Sequence, residues 1–287
     1  MAIGEAGSSP SGLLPWRALG LLTNDDIRAR IERLEIPFDH RGVDPYGVSK
    51  KDLLWFFSAL GALYRHYFTV TVTGIENVPT RGRAMLVCNH SGGIALDGAM
   101  VLVSLLLEME PPRLGHGMAE KFLNQVPFLS GWTRRTGQLT GLPENAARLL
   151  NDDRVLMVFP EGARGTAKLY WERHTLVRFG TGFVRLAMQT QSPIVPLAFL
   201  GGGEAVPTVA NLYRLGKLFG APYIPVTPYL VPIPRPVPLD ILYGEPLVFT
   251  GTGQEADDVI SAHVETVRDR ISQLLADGQQ RRQKNGA

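Results

Sequence analysis

Cysteine is almost missing from this chain of 287 residues: Cys88 stands alone, so no intramolecular disulfide framework can staple the fold, which fits a reducing compartment. Long apolar runs are missing too. The longest, around Leu53 to Leu63 and Gly98 to Leu107, fall well short of the ~20 residues that a bilayer-spanning helix needs. Nor is there an excess of charge of one sign. Lys and Arg total 29 against 27 Asp and Glu, a net +2, so no whole-protein field gathers nucleic acid. No group of His, Cys and acidic residues has metal-ligand spacing, and no metal is expected. The start of the chain carries Glu5 and no early basic residue, which does not suit a signal peptide. The expectation is a cytoplasmic protein that lies on a membrane wherever it meets one.

What is present is a pattern of alternating elements. Residues 1–47 read as a peripheral arm with one helical stretch near Asn24 to Leu34, capped by Thr23 or Asn24. Ser49 with Asp52 makes a capping-box-like start to an apolar helix within residues 48–67. Leu53, Leu54, Trp55, Phe56, Phe57, Leu60 and Leu63 surround much of that helix, a pattern that fits either burial or contact with lipid. Strands are predicted at 68–73, 84–88, 154–159 and 194–200, and helices at 95–109, from Pro143 onward, and at 182–189. This alternation predicts an α/β fold with a mixed, mostly parallel sheet flanked by helices, in a single domain over residues 48–278 with the apolar helix at its N-terminal side. Seven prolines between Pro222 and Pro238 argue for an extended surface loop. Ile260, Val264, Val267, Ile271 and Leu274 form the stripe of an amphipathic helix over 255–277 that Gly278 ends, leaving 279–287 as a disordered tail.

Two blocks carry chemistry. In the first, Asn89-His90-Ser91-Gly92-Gly93 leaves an apolar strand and closes on Asp97 as a helix begins. Histidine is a natural base near neutral pH, and a carboxylate on its far ring nitrogen fixes the tautomer. On one straight helix, positions seven apart lie about 10.5 Å apart along the axis, too far for a hydrogen bond. The Ser-Gly-Gly turn must therefore loop back if the pair forms. In the second block, Phe159-Pro160-Glu161-Gly162-Ala163-Arg164-Gly165 brings an acid and a base to the end of another apolar strand, where α/β proteins place ligands.

Together the blocks resemble the glycerolipid and lysophospholipid acyltransferase superfamily, with its N-H-x4-D and F-P-E-G-x-R signatures. The six residues between His90 and Asp97, where that signature has four, resemble a branch related to the mono- and diacylglycerol acyltransferases. The resemblance covers roughly Tyr67 to Phe249. It implies His90 as general base and Asp97 as its orienter, without an acyl-enzyme. It also implies Asn89, Glu161, Gly162 and Arg164 among the substrate-binding residues. Acyl-CoA or an acyl-carrier protein would be the cosubstrate, a lipid alcohol the acceptor and a membrane surface the setting, with no cofactor. Lys168, Arg173, Arg178 and Arg185 form a basic cluster suited to phosphate or to a carrier protein's acidic surface, or else a solvated face; Lys168 and Arg178 are counted with the site, and Arg178 precedes a glycine turn into a helix. Gly137 to Pro143 stands where the family shows a glycine-aromatic-arginine block, and its lack of a basic residue argues against a phosphorylated acceptor. A catalytically silent lipid-binding protein and a hydrolase are the alternatives, the latter lacking any Gly-x-Ser-x-Gly elbow.

Overall fold

A computed structural model describes residues 25–92, 94–119, 129–218, 220–230 and 233–284. Its strands are β1 (Thr69–Thr73), β2 (Ala84–Cys88), β3 (Gly115–Ala119), β4 (Leu139–Thr140), β5 (Val155–Val158), β6 (Ile194–Leu200), β7 (Ala210–Asn211), β8 (Pro225–Val226) and β9 (Pro238–Tyr243). Seven of them form one sheet in the order β1-β9-β6-β2-β5-β3-β4, and β7 pairs separately with β8. All neighbours in the large sheet run parallel except β6 and β9, where Leu197 opposes Tyr243. The mixed, mostly parallel sheet flanked by helices is the expected α/β fold.

The helices are α1 (Asp25–Glu32), α2 (Lys50–Ala62), α3 (Leu96–Leu107), α4 (Leu129–Arg135), α5 (Pro143–Asn151), α6 (Ala163–Thr166), α7 (Gly182–Thr190), α8 (Gly202–Ala205), α9 (Tyr213–Leu218) and α10 (Asp257–Lys284). Central strands β2 and β6 are buried at every residue because helices cover both faces of the sheet. Helix α3 is buried along nearly its whole length, which explains why its sequence is apolar all round. Helix α2 divides instead. Leu53 and Phe57 enter the core, whereas Trp55 is 46% exposed. Ser49 caps α2 by accepting from Asp52 N at 3.4 Å, but its own N–H goes to Arg135 O at 2.9 Å, so the reciprocal half of a capping box is replaced by a tertiary bond. A π-helical turn, Leu63–Tyr67, then leads into β1.

Several expectations are corrected. The arm is not peripheral where it is described: Ile27, Ile31, Leu34 and Tyr46 are buried in the core, and Asp44 holds its loop by accepting from Tyr46 N and Val48 N, both at 2.8 Å. The cap residues Thr23 and Asn24 lie outside the described residues. Gly278 does not end the last helix, which continues to Lys284, so residues 279–284 are helical and not a disordered tail. A Cβ at Gly278 would lie 2.8 Å from Leu200 Cδ1; the glycine is there so that α10 can approach β6 closely. Leu275 rather than Leu274 completes the buried stripe. The proline-rich span is mostly irregular as expected, yet it supplies β8, and Pro238 opens the internal strand β9 from its first position, the one place where a strand tolerates a missing N–H.

His116 on β3 is fully buried, its Nδ1 3.1 Å from Gly137 O and its Nε2 without a partner. Burial pulls its pKa from 6.5 down to about 4. The folded state therefore resists a proton that the unfolded chain accepts. The resulting stability is complete above about pH 6.5 and is lost as pH falls through 4, by up to ~3 kcal/mol. His116→Asn, which keeps a donor toward Gly137, should flatten the dependence of denaturant-midpoint stability on pH between 6.5 and 4; an unchanged slope would place that pH dependence elsewhere.

Candidate active site

Parallel strands β6, β2 and β5 lie side by side, so their C-terminal ends deliver three loops to one edge of the sheet. From β2 come Asn89, His90 and Ser91; from β5 come Phe159 to Gly165; from β6 comes the Gly201-Gly202-Gly203 turn. The loops are in contact. A Cβ at Gly165 would overlap the Glu161 carboxylate and come within 2.8 Å of His90 Cβ, and one at Gly202 would overlap Ser91 Oγ. Glycine at both positions is what lets the loops close on the histidine.

The loop after His90 does turn back. Gly92 takes φ +96, and Asp97 sits in the first turn of α3 with His90 Nδ1 3.0 Å from its Oδ2. The same oxygen accepts from Ser91 N at 3.0 Å, and Oδ1 accepts from Gly98 N at 2.7 Å. Backbone donors thus hold the carboxylate still, and the carboxylate assigns the imidazole proton to Nδ1. His90 stacks on Phe159, ring centroids 3.9 Å apart and planes 6° apart. Its Nε2 has no hydrogen-bond partner among the described residues, and the side chain as a whole is 9% exposed.

Glu161 lies on the other side, 1% exposed. Lys168 Nζ approaches its Oε2 at 2.5 Å and donates to His90 O at 2.7 Å. The two charges meet inside the protein, since both side chains are almost fully buried. Burial raises the pKa of Glu161, against which the adjacent Lys168 charge pulls downward. Burial likewise lowers that of Lys168, opposed by Glu161. Gly162 makes the turn possible at φ +57 and ψ −153, a region essentially reserved to glycine, sending Glu161 inward and exposed Arg164 outward.

Asn89 and Lys168 are corrected. Asn89 spends its amide on a brace between strands, its Nδ2 donating to Phe199 O at 3.1 Å and its Oδ1 accepting from Phe199 N at 2.8 Å, so it positions the loop and does not face substrate. Lys168 is buried under His90 and cannot meet an external phosphate. The expected basic cluster also divides. Arg173 pairs with Glu204 at 2.9 Å and Arg185 with Asp257 at 2.5 Å. Arg164 and Arg178 are exposed and without an ion-pair partner among the described residues. The turn carrying Arg178 is pinned beside the second block by Gly180 N donating to Pro160 O at 3.0 Å. In the 137–143 block, Gln138 Oε1 accepts from Gly117 N at 3.1 Å, a structural use. Cys88 is enclosed, and burial raises its pKa well above the ordinary thiol value, so it is no nucleophile. The Lys168 bridge was not legible beforehand; its only signal was its spacing of seven residues from Glu161.

Comparison with known proteins agrees with this geometry. A family profile described as Acyltransferase matches residues 69–200, the span that contains both blocks. Rv0502 of Mycobacterium tuberculosis is 35% identical over 250 residues, covering 83% of this chain and 68% of that protein. A Gallus gallus protein named as a DGAT1/2-independent enzyme synthesizing storage lipids is 24% identical over 212 residues, covering 73% of this chain and 60% of its own. The crystal structure of the 1-acyl-sn-glycerophosphate acyltransferase PlsC from Thermotoga maritima shares the fold with a TM-score of 0.54 at 16% identity, over 80% of this chain and 79% of that one. The chain belongs to the acyltransferase family, as its two motif blocks implied.

Replacing Lys168 with methionine should leave Glu161 a buried uncompensated acid and cost about 3–5 kcal/mol in chemical denaturation. Arg178→Ala, at an exposed position, should change stability by no more than about 0.5 kcal/mol. Equal effects from the two would contradict the burial-based division of the basic residues.

Proposed function

We propose that the protein transfers a fatty acyl group from a thioester, acyl-CoA or acyl-carrier protein, to the hydroxyl of a glycerolipid or similar lipid alcohol at a membrane surface. The observation that carries this reading is the 3.0 Å contact of His90 Nδ1 with Asp97, which leaves Nε2 as the ring nitrogen available to act as the base. The acceptor hydroxyl gives its proton to Nε2 as its oxygen attacks the thioester carbonyl carbon. The tetrahedral intermediate collapses by breaking the C–S bond, and the departing thiolate takes the proton back from the imidazolium. The ester and the free thiol are the products, and no acyl-enzyme is formed.

Several features support the substrate class. Arg164 and Arg178 are exposed cations on the second block and the turn pinned beside it, without an ion-pair partner among the described residues, and would suit a phosphate of either substrate. Among the described residues no helix is long and apolar enough to cross a membrane. The name of the Gallus gallus relative points to lipid products, and that of the Thermotoga maritima neighbour to a phosphorylated glycerolipid acceptor. Which of these acceptor types this chain takes is a matter for the assay below.

The test is transfer of radiolabel from palmitoyl-CoA, and in parallel from palmitoyl-carrier protein, into membrane lipid extract. Wild type should give a labelled lipid, and His90→Ala should lower the rate by roughly 10²–10⁴-fold. Asp97→Asn should also cost at least roughly 10²-fold while leaving the fold intact, because the amide can present its N–H to Nδ1 and favour the wrong tautomer. Full transfer by His90→Ala would overturn the mechanism. Free fatty acid formed at one rate with and without acceptor would replace it by hydrolysis.

A further inference from the structure

Residues 205–239 contain no Asp or Glu, but they hold Arg214, Lys217 and Arg235. In a chain with nearly balanced charge, this is a basic segment of local origin. It is the excursion between β6 and β9, and it contains the hairpin β7-α9-β8. Helix α9 is unusual in what it buries: of its six residues only Gly216 is buried, closed against the backbone of Tyr223, where a Cβ would lie 2.5 Å from Tyr223 Cα. Leu212, Tyr213, Leu215 and Leu218 point outward with exposures of 44, 55, 41 and 77%. Arg214 and Lys217 alternate with them, exposed and without an ion-pair partner among the described residues.

The hairpin is firmly attached. Leu212 N donates to Ile224 O at 2.9 Å, and Val209 N to Val226 O at 2.8 Å. It is also joined to the second motif block: Asn211 Nδ2 donates to Ala167 O at 2.6 Å, and Tyr170 N to Thr208 O at 2.7 Å. A surface seated on α9 therefore lies beside the segment that presents Arg164 and encloses Lys168.

We propose that α9 is a membrane-docking element that seats the protein on an anionic bilayer, with the four apolar side chains entering the headgroup boundary and Arg214 and Lys217 meeting lipid phosphates. Apolar side chains interleaved with basic ones are the chemistry of interfacial binding. An exposed apolar patch of this kind marks a partner, and its charge decides which. A second copy of the chain would bring the same acid-free, basic surface to a symmetric contact and be repelled; an anionic lipid surface is complementary to it. Docking here would hold the active-site mouth at the lipid from which the acceptor is drawn. In that respect the inference rests on the reading of the acceptor as a lipid.

The test is cosedimentation of the full chain with phosphatidylcholine vesicles, with and without phosphatidylglycerol. The parent should bind the anionic vesicles more tightly. Arg214→Gln with Lys217→Gln should weaken that binding by roughly 25-fold, about fivefold for each charge, whereas Arg214→Lys with Lys217→Arg should restore it. Leu215→Ser with Leu218→Ser should weaken binding to both vesicle types. Thermal melts check that these exposed substitutions leave the fold intact. A parent that ignores vesicles, or variants that bind as the parent does, would overturn the proposal, as would a dimer that the leucine variant converts to monomer in light scattering. Transfer to a water-soluble short-chain alcohol, measured on the same proteins, separates the two readings. Transfer without vesicle binding removes the docking surface and leaves the chemistry, and the expected vesicle binding without transfer does the reverse.

Discussion

Lys168 buries an ammonium group under the His90 loop and gives it two partners, the carboxylate of Glu161 and the carbonyl of His90. Taking both charges out of water costs several kcal/mol per ion, which their mutual attraction offsets only when the geometry is closely held. The arrangement is therefore a poor source of net stability and an effective source of position. If His90 moves away, Lys168 loses its carbonyl partner; if the β5 loop moves, Glu161 is stranded in an apolar surround. Strand β2, strand β5 and the segment after α6 are in this way locked to one another at the point where the imidazole must be placed.

The remaining features follow from that constraint. Gly165 and Gly202 exist because a side chain at either place would strike the acid or the serine beside the histidine. Asn89 ties the end of β2 to β6 so that the loop departs in one direction. Phe159 supplies a flat face for the imidazole, and Asp97, fed by backbone N–H groups, supplies its orientation. Among the described residues, one ring nitrogen of His90 and the exposed Arg164 and Arg178 have no partner in the hydrogen bonds and ion pairs around the site. Fixed orientation with a single open nitrogen is what direct proton abstraction from an alcohol requires.

The sequence displayed the chemistry better than the architecture around it. His90, Asp97 and Glu161 were legible because reactive side chains at strand ends stand out against apolar runs, and the glycines between His90 and Asp97 already implied the turn that closes the pair. Lys168 reads like Arg178 in the sequence because charge is visible there and burial is not: the lysine is enclosed and the arginine exposed. Gly278 was misread because glycine serves both as a helix stop and as a place for close packing, and only the proximity of Leu200 distinguishes the two. Strand β3, Gly-His-Gly-Met-Ala, lacks the β-branched residues that mark a strand, and β9 was hidden by the prolines that precede it. In both cases the neighbouring strands supply what local propensity does not.

The central claim is that Asp97 holds the proton of neutral His90 on Nδ1 and leaves Nε2 as the base. Nitrogen-15 NMR of histidine-labelled protein reads this directly, with a His90→Gln sample to assign the signal among the six histidines. At a pH where the imidazole is neutral, a protonated Nδ1 and a bare Nε2 are expected. A proton on Nε2 would contradict the claim, since His90 would then offer the acceptor hydroxyl a donor and no base.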